Sequence, residues 1–169
     1  CFIPALRAQA CGRIVLVSSV VGRIVIPFLG AYSASKFALE AIGDGWRMEL
    51  GPAGISVSLV EPGPIKTCFR KQVVSEAARG LEMRHSVFAR QYAKELAQPE
   101  RTYTRPTDVF QKPPEAVAKK IVHALESRWP RARYPVTGAA WLGDFAARFF
   151  PARLKDRLLA SKVIGPAVP

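Results

Sequence analysis

The chain has 169 residues, of which 49% are hydrophobic and 22% charged, with a formal net charge of +12 and three cysteines. That length and apolar fraction suit a folded domain with a modest core and exclude a wholly disordered chain. No uninterrupted run of about 18 apolar residues occurs, so no membrane-spanning helix is expected.

Cys1 and Phe2 to Ala10 read as the tail of a helix. Arg13 to Ser19 is rich in Val, Ile and Leu without alternation, the pattern of a central strand buried on both faces of a parallel sheet. Val20 to Gly30 reads as a loop, with Ser33 available to cap the helix that follows. That helix runs to about Leu50, with Ala34, Phe37, Ala38, Ala41, Ile42 and Met48 as its apolar positions and Gly51-Pro52 as its stop. Gly43-Asp44-Gly45 lies inside it as two small residues in a helix. Ile55 to Val60 is the next strand, which makes the three elements a parallel crossover, and Pro62-Gly63 ends it. Residues 68–108 read as a polar insert that leans helical. Pro113-Pro114-Glu115 opens a further helix, with Val117, Ala118, Ile121, Val122 and Leu125 at helical spacing. Arg133 to Val136 reads as a short last strand. Trp141 to Ile164 is a basic amphipathic tail, expected to pack on a subunit or touch a membrane surface weakly.

Cys1, Cys11 and Cys68 are odd in number and lack metal-ligand spacing, which points to reduced thiols, no metal site and a cytoplasmic setting. The arginines are scattered and accompany no helix-turn-helix, zinc-finger or aromatic RNA-binding pattern, so specific nucleic-acid binding is not expected. His85 and His123 read as surface or structural residues.

The chemistry concentrates in Tyr32-Ser33-Ala34-Ser35-Lys36. Positions i and i+4 of a helix share a face, so Lys36 can hold its charge near the Tyr32 ring. A free phenol titrates near ~10, and a neighbouring cation would favour the phenolate and lower that value, making Tyr32 a proton donor and acceptor. Ser19, at the end of the upstream strand, can hydrogen-bond the same substrate oxygen.

With Gly12-Arg13-Ile14-Val15-Leu16-Val17-Ser18-Ser19, Gly22, Pro27, Tyr32 to Lys36 and Pro62-Gly63-Pro64-Ile65-Lys66-Thr67 in this order, the chain resembles the short-chain dehydrogenase/reductase family. The motifs are specific from about Pro4 to Thr67 and looser to about Val136. The resemblance implies an α/β, Rossmann-like doubly wound parallel sheet of which this is the C-terminal half, over 1–136, with a substrate lid at about 68–108 and a tail at 137–169. It implies reversible hydride transfer between NAD or NADP and an alcohol or carbonyl substrate. Ser19, Tyr32 and Lys36 would be catalytic, and Tyr32, Lys36, Pro62, Gly63, Ile65 and Thr67 would contact the cofactor. Relatives in that family often form homo-oligomers paired through the helix that bears Tyr32 and Lys36, and its small residues Ala34, Ala38, Ala41, Gly43 and Gly45 suit such pairing and intramolecular packing equally. A lipophilic, steroid- or retinoid-like substrate follows by analogy, and the insert residues Val73, Val74, Leu81, Met83, Val87 and Phe88 would suit it.

The family's glycine-rich pyrophosphate turn has no counterpart in this sequence, nor has its fourth catalytic residue, an asparagine. A longer parent enzyme is therefore expected, the isolated piece being inactive. The rival expectation is a truncated, non-catalytic chain acting, if at all, as a basic binding module.

Overall fold

This computed structural model describes residues 2–27, 29–67, 87, 89–90 and 111–163. Cys1, Cys68, His85 and nearly all of the expected lid lie outside them.

A short helix α1 (Ile3–Ala8) leads into strand β1 (Gly12–Val17), a single 3-10 turn (Val20–Gly22) and the long helix α2 (Gly30–Leu50). Strand β2 (Ile55–Glu61), helix α3 (Glu115–Glu126), strand β3 (Arg133–Pro135) and helices α4 (Gly138–Phe149) and α5 (Ala152–Val163) follow. The described strands form one sheet in the order β1-β2-β3, and both pairings are parallel. Gly12 pairs with Ile55 and Val17 with Val60, while Leu59 pairs with Arg133.

β2 is the central strand of this sheet, which is why Ile55, Val57, Leu59 and Val60 are all buried. β1 has one described neighbour and is only half-buried, with Val17 exposed; the expectation of a strand covered on both faces applies to β2 instead. Alternation along β2 sends its residues to opposite layers. Val60 joins Ala124 of α3, Tyr134 and Val136 in one core cluster. Ile55 and Val57 join Leu50, with Ile3, Leu6 and Trp46 packed around them. Helices therefore cover both faces, the doubly wound arrangement.

α2 corrects two expectations. It begins at Gly30 with Leu29 at its N-cap, and the Ser33 hydroxyl caps nothing: it is buried without a hydrogen-bond partner among the described residues. The positions read as its apolar face, Ala34, Phe37, Ala38, Ala41, Ile42 and Met48, are exposed. The helix buries Ser33, Glu40, Gly43 and Leu50 instead. Gly43 permits this close approach, since a Cβ there would sit 2.9 Å from three side-chain atoms of fully buried Leu59.

Some of the scattered cations have local structural work. The Arg13 guanidinium donates to the Ser127 carbonyl at 2.8 Å, at the negative end of α3. Arg23 pairs with Asp144 of α4 at 2.8 Å, tying the loop after β1 to the C-terminal region. His123 is structural as expected, its Nδ1 lying 3.0 Å from the Tyr134 hydroxyl. The stretch read as one amphipathic tail is two helices, because Pro151 cannot continue α4.

Candidate active site

The ends of β1 and β2 are stitched together beyond their last paired residues. Ser18 N–H donates to the Val60 carbonyl at 2.8 Å, and Val20 N–H to the Pro62 carbonyl at 2.9 Å. This places Ser19 beside the Pro62-Gly63 turn at the carboxyl edge of the sheet, where open α/β folds bind ligands.

Ser19 has extended backbone and caps the 3-10 turn, its Oγ accepting from Val21 N–H at 3.3 Å. Its hydroxyl also lies 3.5 Å from the Pro62 carbonyl and is hydrogen-bonded to the Tyr32 side chain. Lys36, one turn along α2, carries its Nζ 5.7 Å from the Tyr32 ring centroid and donates to the Val17 carbonyl at 3.0 Å. Ser19, Tyr32 and Lys36, separated by up to 17 positions in sequence, thus surround one corner of the sheet edge.

The direction of the Tyr32 shift differs from expectation. Burial pushes its phenol above the ordinary value, and the hydrogen bond with Ser19 offsets only part of that. Proximity of Lys36 was expected to lower it. The ammonium donates to the Val17 carbonyl, and burial rather than its charge governs the phenol.

The second half of the expected cofactor set is less concentrated. Pro62 is in place through its carbonyl. Gly63 packs so closely on the cap of α4 that a Cβ would overlap Thr137 Oγ1. Ile65 forms an isolated parallel bridge with Lys112 and packs against the apolar cluster around Val60, and Thr67 is exposed. A nicotinamide ribose fits the donors that remain: the ammonium of Lys36 and the hydroxyl of Tyr32, which share one face of α2 at the edge where two parallel strands end.

Four residues with no local sequence signal lie just behind this corner. Arg133 of β3 donates through Nη1 to Glu40 of α2 and to Glu61 of β2, the latter at 2.6 Å. Its Nη2 reaches both carboxylate oxygens of Asp44 at 2.7 Å. Separations of up to 93 positions hid this cluster from sequence reading.

Residues 1–78 match the family model described as short chain dehydrogenase. The chain is 40% identical over 157 residues to the uncharacterized oxidoreductase YbbO of Escherichia coli, covering 93% of this chain and 51% of that protein. It is 30% identical over 136 residues to 17-beta-hydroxysteroid dehydrogenase type 1 of Homo sapiens, covering 80% and 40%. A short-chain dehydrogenase from Burkholderia cenocepacia, solved in complex with NADP, superposes with a TM-score of 0.62 at 23% identity, covering 94% of this chain and 53% of that one. The chain spans about half the length of the curated relatives it matches. Ordered motifs, the parallel sheet and these similarities together make the chain a member of the short-chain dehydrogenase/reductase family.

Proposed function

We propose that the protein to which this chain belongs transfers hydride reversibly between NAD or NADP and a small-molecule alcohol or carbonyl. The carrying observation is the Ser19–Tyr32 hydrogen bond, with the Lys36 ammonium 5.7 Å from the Tyr32 ring centroid, at the carboxyl edge of parallel strands.

The cofactor, when bound, supplies or accepts the hydride. Tyr32 holds the proton that goes to the substrate oxygen in reduction and takes it back in oxidation. A phenol is protonated at neutral pH already at its ordinary value, and burial shifts Tyr32 further in that direction, so it carries the proton that reduction requires. Ser19 orients the same oxygen and stabilises charge developing on it. Lys36, fixed through Val17, has two further donors for the hydroxyls of the nicotinamide ribose. Pro62, Gly63, Ile65 and Thr67 form the segment along which the carboxamide lies.

A lipophilic substrate is the preferred class. Its support is the relative that acts on 17-beta-hydroxysteroids and the apolar residues of the 68–108 segment. Pairing of two copies through α2 is part of the same reading, supported by the exposed Phe37, Ile42 and Met48 on that helix. The test is oxidation of NADPH or NADH by the full-length natural polypeptide against a panel of lipophilic and polar ketones, with Tyr32→Phe alongside. Cofactor oxidation that requires both ketone and Tyr32 is expected; turnover retained in the Tyr32→Phe protein would reject the assignment.

A further inference from the structure

The guanidinium of Arg133 bonds three carboxylates that lie on the two elements carrying the site. Glu40 follows Lys36 by one helical turn, and Asp44 by two. Glu61 is the last residue of β2, directly before Pro62, whose carbonyl receives Val20 N–H and faces the Ser19 hydroxyl.

Both glutamates are almost wholly buried, at 4% and 1% exposure. One carboxylate oxygen of Glu40 bonds Arg133, and the other is buried without a hydrogen-bond partner among the described residues. The charge of Glu40 is therefore held by Arg133, and a glutamate is tolerated there only in the rotation of α2 that brings it to the guanidinium. Buried ion pairs commonly break even against apolar side chains of equal volume, so a cluster of this kind contributes direction more than stability. A planar fork bonded to three carboxylates from two elements permits little sliding of one past the other.

Resting on the hydride-transfer reading above, we propose that Arg133 is a positioning residue: by locking Glu40 and Asp44 of α2 to Glu61 of β2, it sets where Tyr32 and Lys36 stand relative to Ser19 and the Pro62-Gly63 turn. Arg133 acts through these carboxylates and needs no contact with substrate or cofactor.

The experiment uses the full-length natural polypeptide in three forms: unchanged, Arg133→Lys, and the apolar triple variant Arg133→Met, Glu40→Met, Glu61→Met. The triple variant fills the same space without buried charge and is expected to fold. Each is measured for thermal midpoint, for kcat and KM with NADPH or NADH, and for titration of the Tyr32 phenol by ultraviolet difference against its own Tyr32→Phe form. Arg133→Lys is expected to lower kcat about 10- to 100-fold, the penalty of a misplacement near 1 Å, with little change in the KM for cofactor. In the triple variant the thermal midpoint should return to that of the unchanged protein while kcat stays low, and the Tyr32 titration should be displaced in both.

Recovery of kcat together with the thermal midpoint in the triple variant would reduce the cluster to a stability element and overturn the proposal. Failure of both variants to fold would do the same. A polypeptide with no cofactor-dependent turnover at all would refute hydride transfer instead; the Tyr32 titration then decides the positioning claim alone, and an unmoved titration in Arg133→Lys sinks it.

Discussion

The ammonium of Lys36 donates to the carbonyl of Val17 at 3.0 Å, tying the helix that carries Tyr32 to the last residue of the neighbouring strand. One side chain therefore both fastens α2 over the sheet edge and presents positive charge beside the Tyr32 ring.

Lys36→Met is expected to weaken nicotinamide-cofactor binding by about 10- to 100-fold, the loss of one charge-assisted hydrogen-bonding group. Cofactor fluorescence on the full-length polypeptide measures this directly. An unchanged dissociation constant would remove Lys36 from the ribose contact and leave it only its bond to Val17.

Tyr32 carries a pH signature. Its pKa is raised in the fold, chiefly by burial, so the protonated phenol is the favoured form. The stability this contributes is fully present below the unfolded value of about 10 and is lost as pH rises through the folded value. Urea midpoints of the unchanged protein should therefore fall between pH 9 and 11 more steeply than those of Tyr32→Phe, which has no phenol to ionise. Parallel slopes would show that the phenol is not held in its protonated form by the fold.

Gly63 and Thr137 form a steric pair. A Cβ at position 63 would overlap Thr137 Oγ1, and that oxygen accepts the Ala140 N–H at 3.2 Å as the N-cap of α4. Gly63→Ala should cost about 1–3 kcal/mol through overpacking, and Thr137→Ala about 0.5–2 kcal/mol through loss of the cap. In the double variant the offending oxygen is gone, so the combined loss should be smaller than the sum. A double-mutant cycle by urea denaturation reads this coupling, and strict additivity would contradict the contact.

Gly43 opposes two effects of known size. Alanine in a helix interior is favoured over glycine by about 1 kcal/mol, yet here the added methyl would meet Leu59 at 2.9 Å. Leu59 is fully buried and Gly43 sits in the middle of α2, so neither side yields easily. Overpacking of about 1–3 kcal/mol should win, making Gly43→Ala destabilising. A rise in the thermal midpoint would show that the helix can shift outward.

The candidate corner of Ser19, Tyr32 and Lys36 was legible because its parts carry local signals. An apolar run ending in Ser18-Ser19, a Tyr and a Lys one turn apart, and Pro-Gly after the next strand each announce themselves within a few residues, and the parallel sheet brings them together. The orientation of α2 was not legible. Binary patterning turns Phe37, Ile42 and Met48 inward and Glu40 outward, whereas the fold does the reverse at all four. What makes Glu40 buriable is an arginine 93 positions away, which no local pattern announces. The direction of the Tyr32 shift was missed for a related reason: spacing reveals the nearby cation, but the burial that dominates the shift depends on packing.

Glu61 and Asp44 share Arg133 but should respond to pH with opposite sign. Burial pushes the Glu61 carboxyl above its ordinary range, and the Arg133 hydrogen bond does not fully compensate. Its favourable contribution is therefore complete below the unfolded value of about 4.5 and declines as pH rises through the folded value. Asp44 is desolvated too, but the hydrogen bond from Arg47 and the charge of Arg133 prevail and hold its pKa down. Its contribution is present above the unfolded value of about 3.8 and disappears as pH falls through the folded one. Relative to the unchanged protein, Glu61→Gln should gain stability as pH is raised from 4 to 8, because glutamine keeps an acceptor for Arg133 and has no charge to bury. Asp44→Asn should be the less stable protein at pH 7 and should converge on the unchanged one below pH 4. Thermal midpoints across pH 3.5 to 8 separate the cases. If both variants drift in the same direction, the two carboxylates titrate as a single site, and the division of Arg133 between a buried glutamate and a more exposed aspartate is not the one drawn from the geometry.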